Sequence, residues 1–181
     1  MRLQDIALLK CVEEAGNLDG RKRLQKTMFF LKQYGYPVAN TYFIHYFGPY
    51  SAELAERVDD LTNQDLLEEK CDEPGNGFTE YHYSLSDTGL EKLPEIFQGV
   101  TEEQQSLIEE MAQEFVDLKQ HDVFVLEMAS TILYWLDWGM NWEEAVATMV
   151  RAKAVDKNHD NYVKAIDLAK TAFNRITENK H

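Results

Sequence analysis

Chemistry in this 181-residue chain would have to come from a short list of side chains. His121-Asp122 is an HD dipeptide at the start of a helical segment, the kind of pair that holds metal in a phosphohydrolase. Such a site needs further His and Asp ligands, and the spacing of His159-Asp160 does not assign them to it. Gly48-Pro49-Tyr50-Ser51 departs from the Gly-x-Ser-x-Gly of a nucleophile elbow, and no glycine-rich phosphate loop occurs. His45 has no second His, Cys or carboxylate at metal-ligand spacing and is expected to be structural. Cys11 and Cys71 lack a CxxC neighbour and are too few for a disulfide framework; they are expected to be ordinary thiols, Cys11 half-buried in the first helix. With the roles of an active site unfilled, the expectation is no catalytic residue, no metal ligand and no cofactor.

Binding chemistry is better supplied. Arg21, Lys22, Arg23 and Lys26 form the one basic cluster of the sequence, on the first two turns of a helix expected over 21–34. Cations there oppose the helix dipole, a local conflict that points beyond folding; the plainer reading is a solvated face balanced by Asp19 and nearby acids. Downstream lies the aromatic run Tyr42-Phe43-Ile44-His45-Tyr46-Phe47, ended by Gly48-Pro49-Tyr50-Ser51. Aromatic side chains and Arg are enriched at interface hot spots. The candidate partner-binding surface therefore combines Arg21, Lys22, Arg23 and Lys26 with His45, Tyr46, Gly48, Pro49 and Tyr50, and Tyr50 is expected on the same side as Arg21. The alternative is that the aromatics fill a hinge between two halves of the chain.

The elements that must position these groups follow from periodicity. An apolar stripe at Leu3, Ile6, Ala7, Leu9 and Val12 predicts a first helix, stopped at Gly16. Asn17-Leu18-Asp19-Gly20 is turn chemistry leading to the second helix, with Leu24, Met28 and Leu31 inward. The run 41–47 is expected to be one strand, with Tyr42, Ile44 and Tyr46 on one face and Phe43, His45 and Phe47 on the other. Since both faces are apolar, it should be covered on both sides or lie at a partner contact. Ser51 then caps a third helix over 51–63. A strand over 65–71, a polar Gly/Asn turn over 72–77 and a return strand over 80–85 make a hairpin, and a short helix ends near Gly99.

Three helices and a hairpin are the order of a winged helix, placed on residues 1–98. Residues 99–181 are expected to form a helical extension packed on it. There, capping boxes at Thr101 and Asn141 start two helices. The segment 123–138 is apolar on most faces, as in a central helix, and 160–176 is amphipathic. Trp135, Trp138 and Trp142 are expected in helix packing. The fold class is thus mainly α with a small β-hairpin.

The net charge of −14 is spread evenly. Residues 1–98 hold 10 Lys and Arg against 17 Asp and Glu, and residues 99–181 hold 8 against 15. Such a field keeps a protein soluble and repels polyphosphate. The most apolar window, 123–136, is too short for a membrane span and contains Glu127. The first residues lack a secretory apolar core, so the expected location is the cytoplasm, without membrane association.

The motif Gly20-Arg21-Lys22-Arg23-Leu24-Gln25-Lys26, followed by His45-Tyr46-Phe47-Gly48-Pro49-Tyr50-Ser51 and Glu53-Leu54, resembles the YwgA-type family of bacteria and archaea. Leu24-Gln25-Lys26 and Tyr46-Phe47-Gly48-Pro49 are more loosely similar to the Panacea domain, whose members include antitoxins and a protease adaptor. The resemblance implies a winged-helix-like intracellular protein and supplies no catalytic residues. The expected function is a non-enzymatic regulatory or protein-interaction module, antitoxin-like or adaptor-like. The alternative is a DNA-binding transcriptional regulator. Against it, the third helix carries Glu53, Glu56, Asp59 and Asp60 and only Arg57, and some 14 residues separate it from the second helix, where a helix-turn-helix has a 3–4-residue turn.

Overall fold

The computed structural model describes residues 1–72, 79–157 and 159–178. Among these the chain is mainly helical, with small antiparallel sheets. Helix α1 (Leu3–Ala15) ends where Gly16 takes φ 67°. Residues Leu18–Asp19, expected to be only a turn, form a short strand, β1. It pairs antiparallel with the later strand Glu80–Leu85, in the register Leu18↔Tyr83 and Asp19↔His82. Gly20, at φ 91°, then gives its N–H to Tyr81 O at 2.7 Å and turns the chain into α2 (Arg21–Gln33). Every residue from Leu24 to Leu31 is buried, so α2 is an interior helix from its second turn onward.

The run expected as one strand is two. Strands β2 (Phe43–His45) and β3 (Gly48–Tyr50) pair antiparallel, His45 opposite Gly48, with Tyr46 and Phe47 as the turn. Turn positions usually go to Gly, Asn or Asp, so an aromatic pair there is read as continuing strand. Gly48 supplies the positive φ (86°) that lets the chain reverse. The expectation of cover on both faces also fails. Ile44 is half-buried, whereas Phe43, His45 and the turn pair are exposed.

Ser51 caps α3 (Ala52–Asn63) by accepting from Leu54 N at 3.1 Å. Its backbone is held by the buried amide of Gln25, which accepts from Ser51 N at 2.8 Å and donates to Ser51 O at 2.9 Å. The corner before α3 is thus clamped to α2 at two points. Strands β4 (Leu67–Asp72) and β5 (Glu80–Leu85) complete a sheet of order β1-β5-β4. The turn expected over 72–77 lies, after Asp72, outside the described residues.

Helix α4 (Asp87–Gln98) leads into α5 (Glu102–Lys119), α6 (Val123–Asp137), α7 (Trp142–Lys153) and α8 (Asp160–Glu178). The Thr101 and Asn141 capping boxes form as expected. Helix α6 is buried from Val125 to Tyr134 and packs against α2, α7, α8 and β3, while α5 covers α1. That cover buries Cys11 fully, not by half, and burial pushes its thiol well above its usual pKa. One continuous core runs through all of these elements. Trp142 packs near Phe173, but Trp138 lies just past the end of α6 and is 71% exposed, contrary to expectation. Among the described residues no helix is long and apolar enough to cross a membrane.

Candidate functional site

The four cations at the start of α2 fan out to separate partners, although Arg21, Lys22 and Arg23 line one cavity of about 480 Å³ with Tyr81 and His82. Arg21 forms a two-nitrogen pair with Glu69 of β4 (2.8 and 3.2 Å), donates to Tyr83 Oη at 3.1 Å and lies 3.8 Å above the Tyr81 ring. Burial raises the Glu69 carboxyl, but hydrogen bonds from Arg21 and Tyr83 outweigh it and leave the group below its ordinary value. Arg23 donates to Lys119 O at 2.6 Å and to His121 O, satisfying carbonyls at the end of α5. Lys22 pairs with Glu127 of α6 at 2.9 Å and lies 4.2 Å from the Phe47 ring centre. Lys26 is 2% exposed and donates to Pro49 O at 2.5 Å. Asp19, expected to balance the cluster, pairs instead with His82 at 2.7 Å.

The hairpin stands beside this fan. Gly48 and Pro49 are buried, and a Cβ on Gly48 would lie 2.7 Å from Thr131 Oγ1, so β3 seats directly on α6. Tyr50 is half-buried and carries Phe43 (centroids 5.6 Å) and His45 (5.8 Å) against its ring. Tyr46 is 78% exposed and packs edge-on to Phe47 at 5.0 Å. Tyr50 and Arg21 line one cavity of about 210 Å³ with Asp59 and Tyr83. The expected site residues are therefore near one another but divided. Arg21 and Tyr50 face the α3 side, Lys22 and Tyr46 the α6 side, and Arg23 neither.

A larger cleft, about 570 Å³, opens on the α6 side. Its polar floor is Glu127, held 2.6 Å from Lys153 Nζ and 2.9 Å from Lys22 Nζ, and Lys153 also donates to Tyr46 O. Burial raises the Glu127 carboxyl and the two ammonium groups more than offset that, leaving it below its ordinary value. Sequence reasoning used Glu127 only as a mark against a membrane span. A carboxylate in the middle of the most apolar helix is a signal for more, because a buried charge requires paired cations. Lys153, Phe124 and Tyr162, which also line the cleft, carry no comparable sequence signal.

The residues considered for hydrolysis have structural partners. Asp122 caps α6 by accepting from Phe124 N at 2.8 Å, and His159 Nδ1 accepts from Asn161 N at 3.2 Å. Among the described residues no three His, Cys, Asp or Glu side chains converge as metal ligands would.

The class defined so far is a mainly helical chain with small antiparallel sheets and an exposed aromatic hairpin beside a lysine-floored cleft. No family model matches the sequence. It is similar to "Uncharacterized protein YwgA" of Bacillus subtilis (strain 168), 38% identical over 82 residues, which is 45% of this chain and 49% of that protein. The chain thus spans about half the length of the curated relative it matches. This similarity supports the YwgA-type resemblance carried by the motifs around Arg21 and Gly48.

Proposed function

We propose that this protein is a non-enzymatic regulatory or adaptor-like module that docks a partner protein on the outer face of the β2–β3 hairpin. One observation carries the reading: Phe43, Tyr46 and Phe47 are 46%, 78% and 46% exposed on a single short hairpin. Clustered exposed aromatics on an otherwise strongly acidic chain mark an interaction surface. The hairpin is a rigid platform, because Gln25 clamps its exit and Lys26 and Lys153 hold Pro49 and Tyr46 by their carbonyls. A winged-helix-like N-terminal half is supported by the order α1-β1-α2-β2-β3-α3-β4-β5, in which the β2–β3 hairpin is an insertion between the second and third helices, and by the antiparallel β1-β5-β4 sheet. The looser Panacea likeness fits the same adaptor-like or antitoxin-like role.

The geometry of α3 weighs against docking in a DNA groove. Its one cation, Arg57, is buried on Asp5, while Glu53, Glu56, Asp59 and Asp60 are exposed. Carboxylates in that position would meet phosphate and base edges uncompensated. The test is quantitative affinity purification of wild type beside Phe43→Ser/Tyr46→Ser and beside Glu56→Gln on α3. Partners lost only with the hairpin substitutions support the reading. A recovered set unchanged by them refutes it.

A further inference from the structure

We infer that the cleft between the hairpin turn, α6 and the α7–α8 junction is a binding site for an amphipathic organic anion, a small molecule with an acidic head and an aromatic or acyl body. The size fits, since about 570 Å³ lies within the ordinary range for a site that encloses one small organic molecule.

The walls fit an apolar body. Phe47 and Phe124 are 46% and 57% exposed and face the space that Met128, Val155 and Tyr162 also line. These rings come from the hairpin turn and from the first turn of α6, far apart in sequence, and Lys22 Nζ lies between them, 4.2 Å from one centroid and 5.3 Å from the other.

The floor fits an acidic head. In a chain of net charge −14, two ammonium groups here share one carboxylate. Lys22 and Lys153 share Glu127, and Lys26 lies close enough to Gly48 that a Cβ there would sit 3.6 Å from its Cε. The Lys153 and Glu127 side chains are 11% and 8% exposed, so their charges are built into the wall and are not surface groups. Glu127 Oε2 is buried 2.9 Å from the Lys22 ammonium and Oε1 lies 2.6 Å from that of Lys153, so one carboxylate is shared by two cations. A group with an anionic head would take the excess positive charge. Carboxylate, sulfonate and phosphate heads share this chemistry.

The probes are 8-anilinonaphthalene-1-sulfonate and N-phenyl-1-naphthylamine, the same aromatic body with and without the acidic head, titrated by fluorescence. The sulfonate should saturate one site and bind at least tenfold more tightly than the neutral probe. Lys22→Met and Lys153→Met should each weaken the sulfonate at least fivefold and leave the neutral probe within twofold. Ala152→Trp fills the cleft from an exposed lining position without touching the lysines, and Phe124→Ala removes a wall; both should weaken both probes. Displacement by decanoate, by decyl phosphate or by both supports the site and identifies the head. Equal displacement by inorganic phosphate alone, equal binding of the two probes, or sulfonate binding unchanged in Lys22→Met and Ala152→Trp with native circular dichroism would each overturn it. None of these titrations involves a partner protein, so the outcome is independent of whether the hairpin docks one.

Discussion

Lys26 makes the stability of this protein depend on pH in a direction opposite to that of a lysine held in an ion pair. Its side chain is 2% exposed and its ammonium donates to Pro49 O. Burial pulls its pKa from 10.5 to about 7; Glu127 opposes the fall, and Lys153 and Lys22 add to it. The unfolded chain keeps this proton up to pH 10.5, the folded chain only to about 7, so between those values the unfolded state binds more protons and stability rises with pH. Below pH 7 both states are protonated and the burial penalty is complete. With 1.36 kcal/mol per pKa unit, the rise between pH 6.5 and 8.5 comes to about 2 kcal/mol. Other groups titrate in this window. The Asp19 hydrogen bond holds His82 above its usual pKa, which removes stability as pH rises, and burial lowers His121, which adds it. Comparison with Lys26→Met cancels both. That variant also deprives Pro49 O of its donor, a loss that does not vary with pH. Urea denaturation of the two proteins at half-unit steps should show wild type gaining about 2 kcal/mol on the variant across the window. A difference that moves by less than about 0.5 kcal/mol would refute a buried, titrating Lys26.

Gly89→Ala should destabilise by about 2 kcal/mol, because the added Cβ would meet Leu66 O at 2.2 Å where α4 crosses the start of β4; a thermal melt showing a gain, as helix propensity alone would give, would disprove that close approach. Arg57→Leu removes the partner of Asp5 Oδ1, while Oδ2 keeps the Arg2 backbone N–H at 3.0 Å, and should cost about 2 kcal/mol. Asp5→Leu in the same chain should restore part of that loss, read as a coupling energy in a double-mutant cycle of denaturation midpoints.

What the sequence made legible was whatever depends on local pattern. Capping boxes, apolar stripes and the β4–β5 alternation placed the helices and the long hairpin within a residue or two. The failures share a cause. Leu18–Asp19 is too short to show alternation, and it is a strand only because Tyr83 and His82 offer it an edge. The turn at Tyr46 and Phe47 is hidden because its residues are strand-formers, and only the positive φ of Gly48, invisible in sequence, reverses the chain. Trp138 has the composition of a core residue, yet it follows the last turn of α6, where packing partners run out. The α6 side of the site was legible in part. Glu127 stood out as a charge in an apolar helix, but its pairing with Lys22 and Lys153 spans long sequence separations that no periodicity reports.

The basic start of α2 illustrates how a sequence anomaly can be real while its first interpretation changes. Four cations at a helix N-terminus oppose the dipole, and each such placement costs a few tenths of a kcal/mol to about 1. Three of the four serve the fold directly: Arg21 joins α2 to the β4–β5 sheet through Glu69, Arg23 satisfies the last carbonyls of α5, and Lys26 holds the hairpin by Pro49 O. Charge-assisted hydrogen bonds of this kind are worth more than the dipole penalty, so the conflict is resolved within the molecule and no polyanion is required to explain it. Lys22 differs. It is the one of the four whose ammonium faces open space between two exposed rings, sharing a carboxylate that Lys153 also holds. The chemistry left over once folding is accounted for is therefore aromatic on the hairpin and cationic at a single cleft; Phe47 belongs to both, so Phe43 on the docking face and the Lys22–Lys153 pair in the cleft are the residues that separate the two readings.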